Sequence, residues 1–71
     1  MKLRFTNHAQ FRIFQRKISI EDIKKVIREP DFSRRSFGDT VLARKIINGG
    51  NLEIVYKKDS NAIIVITIYY I

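Results

Sequence analysis

Cysteine and tryptophan are absent from this 71-residue chain, proline and histidine occur once each, and glycine occurs three times. Without cysteine there can be no disulfide and no thiolate zinc site. A single histidine excludes a histidine-rich metal centre within one chain, and no cofactor is expected. No Gly-, Pro- or Ser-rich linker and no repeat divides the sequence, so residues 1–71 are read as one domain. Acidic residues are also scarce, with seven Asp and Glu against fourteen Lys and Arg. The stretch from Met1 to Ile20 holds Lys2, Arg4, Arg12, Arg16 and Lys17 and no acid at all. No apolar run approaches the roughly 20 residues of a membrane span. The opening MKLRFTNH has no apolar segment of the secretory kind. A cytoplasmic location with no membrane association is therefore the expectation.

What is present is an excess of positive charge and a large stock of isoleucine. A chain this short buries only roughly 60% of its unfolded surface, so its core must be densely apolar. The net charge of +7 attracts polyanions and raises the expectation of a nucleic-acid partner.

KLRF, Lys2 to Phe5, alternates polar and apolar residues as a half-buried strand does. Thr6 or Asn7 then caps a helix. At 100° per residue Phe11, Phe14 and Ile18 fall on one side, the expected apolar face, with His8, Arg12, Gln15 and Arg16 beside it. Ala9 and Ile13 lie off both stripes. Ser19, with Glu21 and Asp22 behind it, opens a second helix whose apolar stripe is Ile20, Ile23, Val26 and Ile27. Pro30 ends it. Phe32 to Gly38 reads as a loop or an edge strand. Val41–Ile47 and Leu52–Lys57 form a hairpin across NGGN, Asn48 to Asn51, and KDSN turns the chain into the last strand, Ala62–Ile71. That strand, AIIVITIYYI, is apolar on both faces, which places it inside the sheet or at a homodimer interface. The expected class is α+β: a short N-terminal strand and a two-helix hairpin packed on an antiparallel sheet of three to four strands.

His8, Arg12 and Arg16 stand at successive i,i+4 positions with no acid on the same helix. Like charges at that spacing cost a few tenths of a kcal/mol per pair. An acid from elsewhere in the fold, or a bound anion, must offset them. The residue types suit RNA cleavage without a metal. An imidazole titrating near pH 6.5 can take a proton from a 2′-hydroxyl or return one to a leaving oxygen. Guanidinium groups can grip the scissile phosphate and stabilise the charge it gains. A second proton-transfer group would come from Tyr69, Tyr70, Tyr56 or Lys45. Equally, a lone histidine near a helix start can be a capping or packing residue, and surface arginines are common.

Thr67 is a hydroxyl among β-branched apolar residues. It either satisfies itself on neighbouring backbone or points to the face that receives the first helix, where it would meet a phosphate or orient His8. Tyr69 shares its strand parity and therefore its face. Arg44 and Lys45 are neighbours in one strand, so only one of them can join a site on a given face.

HAQFRIFQRKIS resembles the His-Ala-x-x-Arg-Met-x-x-Arg-Gly-Ile-Ser signature of domain-of-unknown-function family 4258. IEDIKKVIREPD is similar to its second helix with the Pro-Asp that follows, and NLEIVYK with IIVITIYY to its closing strands. The resemblance implies a RelE-like α+β fold, akin to RelE- and BrnT-like toxins and to the metal-independent ribonucleases that include barnase and colicin RNases. It also implies an active site on the sheet next to the first helix. By position the family's histidine is His8, its arginines Arg12 and Arg16, and its strand threonine Thr67. Arg44 matches a basic position before the hairpin less closely. Lys17 stands where the family has glycine, and Ile13 where it has methionine.

The leading expectation is a toxin-type endoribonuclease with His8, Arg12, Arg16 and Thr67 as catalytic residues. Arg4, Lys17, Arg44, Lys45 and Tyr69 are expected to bind RNA, and a cognate antitoxin to cover the basic face. The alternatives are a non-catalytic nucleic-acid-binding module using the same cations, or an interaction domain whose cations pair with Glu21, Asp22, Asp31 or Asp39.

Overall fold

A computed structural model describes all residues, Met1–Ile71. In chain order the elements are β1 (Lys2–Phe5), α1 (Asn7–Arg16), α2 (Ile20–Arg28), β2 (Phe32–Arg35), β3 (Thr40–Ile47), β4 (Gly50–Asp59) and β5 (Ala62–Tyr70). The strands form one sheet in the order β1-β5-β4-β3-β2. The α+β class stands, but the sheet has five strands and is mixed. Phe32–Arg35 pairs with β3 as an edge strand, and β1 pairs with β5 in parallel. A parallel pair requires a long crossover, which the two helices and the β2–β4 meander supply between β1 and β5.

The β3–β4 turn is made by residues suited to it. Asn48 and Gly49 both take positive φ, 52° and 81°, as a two-residue hairpin requires. Ser19 Oγ accepts from the Asp22 amide at 3.1 Å, and α2 ends at Arg28, before Pro30. Asp31 fastens the chain to β3: its Oδ2 accepts from the Ile46 amide at 3.0 Å and its Oδ1 from Lys45 Nζ at 3.3 Å. The Ile46 amide, with Lys45 adding, holds this carboxyl below the usual carboxylate range.

Both helices lie on one face of the sheet. α1 covers β5 and β1, and α2 covers β3 and β4, so each helix is held chiefly by the strands beneath it. The core joins Ala9 of α1 and Ile23 and Val26 of α2 to Ala43, Leu52, Ile54, Val65 and Ile68 of the sheet. Here α1 departs from expectation. Phe11 and Phe14 are 59% and 84% exposed, while Ala9 is buried and Ile13 packs on the core. The small Ala9 side chain lets the helix backbone approach β5 closely, which a phenylalanine face would prevent. α1 is thereby rotated, and the His8–Arg12–Arg16 row comes to flank the contact with the sheet.

β5 is interior to the sheet, as its apolar faces predicted. β1 covers its outer edge only from Ala62 to Val65, so a homodimer through β5 would have only the stretch beyond Val65 to use.

Helix α1 closes with Lys17 in the left-handed region, φ 54° and ψ 48°, and the Ile18 amide reaches back to the Ile13 carbonyl at 3.1 Å. This is the position at which glycine is favoured, because a Cβ there is strained. Lys17→Gly is expected to stabilise the fold by about 0.5–1 kcal/mol, read from urea unfolding. A loss of stability would show that the lysine side chain is held by a contact worth more than the strain.

Candidate functional site

Thr6 sets the start of α1 and its place on the sheet. Its Oγ1 accepts from the Ala9 amide at 3.1 Å, the N-cap bond, and donates to the Ile66 carbonyl at 2.7 Å. The Thr6 amide donates to the Val65 carbonyl at 3.1 Å. Ile66 is an extra residue in the ladder: Val55 pairs with Thr67 and the next residue, Tyr56, pairs with Val65. The helix start is thus tied to a β-bulge, a feature that re-aims neighbouring side chains and occurs often beside active sites. His8 lies two residues beyond this tie and Thr67 one residue beyond it. The fold brings these two parts of the sequence together at one place.

The row itself is left without acid. His8 and Arg16 are exposed, Arg12 is half-buried, and none of the three has a hydrogen-bond or ion-pair partner through its side chain. The ion pairs of the fold are Lys24–Glu21, Arg44–Glu53 and Lys45–Asp31. Asp22 instead accepts from Asn48 Nδ2 at 3.3 Å. Arg12 Nε is enclosed with no acceptor. Leaving a buried donor unpaired costs about 1–3 kcal/mol, so this placement is not one that stability alone selects. The terminal nitrogens of Arg12 are not enclosed and hold no acceptor either, so the guanidinium edge is free to receive one.

Of the two readings of Thr67, the structure does not bear out the one that turns it to the face receiving the first helix. Ile68 belongs to the core beneath the helices, so Thr67 beside it turns to the open face of the sheet, opposite Val55. Tyr69 shares that face, as parity predicted, and so do Arg4 of β1 and Arg44 of β3. Lys45 turns to the helix side, where Asp31 holds it. Lys17 is exposed at the end of α1. The expected residues therefore divide between the α1 row on the helix side and a group on the opposite, open face of the sheet. The pocket of the structure, about 360 Å³, is lined by Arg35, Asp39, Thr40, Val41 and Lys58 and contains none of them.

At the centre of the open face is a residue that the sequence reading missed. Glu53 is only 5% exposed, and both its oxygens are engaged. Oε1 accepts from Arg44 Nε at 3.0 Å, and Oε2 accepts from the Tyr69 hydroxyl. Arg44 also stands 5.0 Å above the Phe32 ring. The signal was available: in the alternating run LEIVY, Glu53 is the one charge inside an otherwise apolar strand segment. The hydrogen bond to Glu53, with burial adding, pushes the Tyr69 hydroxyl above the usual tyrosine value. Burial alone pushes Tyr56 the same way. A raised folded value means that stability is fully present below the unfolded tyrosine value of about 10 and is lost as pH climbs through the folded one. The melting temperature is expected to fall above about pH 10, and less steeply in Tyr69→Phe, as thermal melts between pH 8 and 12 would show. An unchanged pH profile in Tyr69→Phe would refute this reading of the clamp.

No helix is long and apolar enough to cross a membrane. The family profile for the domain of unknown function DUF4258 matches residues 5–70. No curated protein and no solved structure matches the chain.

Proposed function

Because the chain belongs to the DUF4258 family, whose signature falls on an unneutralised His/Arg row, we propose that it is a RelE-like, toxin-type endoribonuclease that needs no metal. His8 takes the proton from a ribose 2′-hydroxyl. The 2′-oxygen attacks the adjacent phosphorus, the bond to the 5′-oxygen breaks, and that oxygen takes a proton from solvent. The products are a 2′,3′-cyclic phosphate and a 5′-hydroxyl. Arg12 and Arg16 hold the phosphate and offset the charge it gains. Thr67, on the open face of the sheet, orients the strand, and Arg4, Lys17, Arg44 and Tyr69 extend the contact with RNA. A cognate antitoxin with acidic segments would silence the protein by covering the row.

The observation that carries this reading is that His8, Arg12 and Arg16 meet no carboxylate from anywhere in the fold. The test is to incubate the purified chain with RNA in excess chelator and look for 2′,3′-cyclic phosphate ends, with His8→Ala alongside. No cleavage, and no RNA binding at low salt, would refute it. The position of the row outside the pocket favours a second reading, a non-catalytic RNA-binding module. In that case His8→Ala changes nothing, while Arg12→Ala and Arg16→Ala each flatten the salt dependence of binding.

A further inference from the structure

The face of the sheet away from the helices is uncovered, and its charge is one-sided. Strand register places Lys2, Arg4, Arg34, Arg44 and Lys57 on it. Against them stand Glu53, whose oxygens are both taken, and Asp59 at the far tip of β4. Two aromatic rings share this face. Phe32 is 44% exposed on the edge strand, and Tyr69 is half-buried on β5. The Glu53 clamp spans the strands between them. It pins Arg44 by Nε alone, leaving the outer edge of the guanidinium with no protein partner, over the Phe32 ring. Arg34 lies close enough to Tyr69 for its charge to act on the hydroxyl. The centre of this surface is pre-ordered: Arg44 and Tyr69 are held by Glu53 before a ligand arrives, so little of their side-chain entropy remains to be lost on binding.

We infer that this face binds a single-stranded segment of RNA, with an unpaired base stacked on Phe32 and the Arg44 guanidinium, and phosphates on Arg34 and Arg4. Two features select a single strand over a duplex. Aromatic rings are useful only to bases that can leave their stack, which paired bases do not do readily. The rings also stand at the level of a sheet surface, where a splayed base can reach them and the closed edge of a duplex cannot. A strand laid across this face from β2 toward β5 arrives at Thr67. The inference rests on the proposed ribonuclease reading for its ligand and extends it by assigning the substrate class and the residues Phe32, Arg34 and Glu53.

The experiment uses the full chain and a fluorescein-labelled 12-nucleotide single-stranded RNA, with a duplex of the same length as the comparison. Phe32→Ala is expected to weaken single-strand binding by about 5- to 100-fold, Phe32→Trp to restore it, and duplex binding to stay within about twofold. Phe37→Ser, which removes a 94% exposed phenylalanine from the β2–β3 turn, is the control for general adhesiveness and should change nothing. If Phe32→Ala leaves single-strand affinity unchanged, or weakens duplex binding equally, the inference fails. Failure of the cleavage proposal is separately visible, because His8→Ala would then match the wild type in product formation while the Phe32 series still discriminates single strands.

Discussion

Replacement of His8 by alanine is expected to slow RNA cleavage by about 10²- to 10⁴-fold, the usual contribution of a positioned proton-transfer group. RNA affinity should remain within about twofold, because Arg12, Arg16 and the remaining cations of the basic surface supply the attraction to phosphate. The stability should hardly change, since the His8 side chain is exposed and makes no hydrogen bond or ion pair. These outcomes separate the roles of the row. Single-turnover cleavage, filter-binding affinity and a urea unfolding curve on the same preparation measure all of them. Equal losses of cleavage and affinity would make His8 a binding residue, and a large loss of stability would make it a structural one. Either result would remove the catalytic assignment.

Ile54→Ala is expected to have the largest effect on stability. Ile54 is fully buried on β4, between its partners Ala43 on β3 and Ile68 on β5, beneath the helices. Truncating such a side chain costs about 2–5 kcal/mol through lost burial and the cavity left behind. At roughly 0.05–0.15 kcal/mol per residue, a domain of 71 residues has a total stability of about 4–11 kcal/mol. One substitution therefore removes a large share of it and leaves a substantial unfolded fraction as temperature rises. Ile46→Ala makes the contrast. Ile46 is 66% exposed on the open face, and its truncation should stay within about 0.5 kcal/mol. Urea midpoints for the two variants decide the matter. Similar costs would mean that the helix-covered side of the sheet is not where the stability resides.

Much of the site can be read along the chain because its signals are local. The i,i+4 spacing of His8, Arg12 and Arg16, the absence of acid in the first twenty residues and the caps at Ser19 and at Thr6 or Asn7 need only the geometry of a helix. Alternation likewise placed Thr67 with Tyr69 and separated Arg44 from Lys45. The burial of α1 could not be read this way. Two phenylalanines outweigh an alanine on any hydrophobicity scale, yet close approach to β5 selects Ala9, and a periodicity argument has no measure of approach. The direction of Thr67 was left open for a related reason. Parity establishes which residues share a face, but only the packing of Ile68 against the helices establishes which face is covered. Glu53 was missed because its partners, Arg44 and Tyr69, lie on different strands and are distant in sequence.

The sequence by itself determined the elements other than β2, the class, the one-sided charge and the cations of α1 that lack a local counter-ion, because each depends on residues within a turn or a strand of one another. The tertiary structure decided that β1 joins β5 in parallel, that no distant carboxylate reaches the row, and that a bulge at Ile66 ties the helix start beside Thr67. Those outcomes depend on which distant segments fill the same space, and contacts between distant segments are settled by packing of the whole chain rather than by any local pattern.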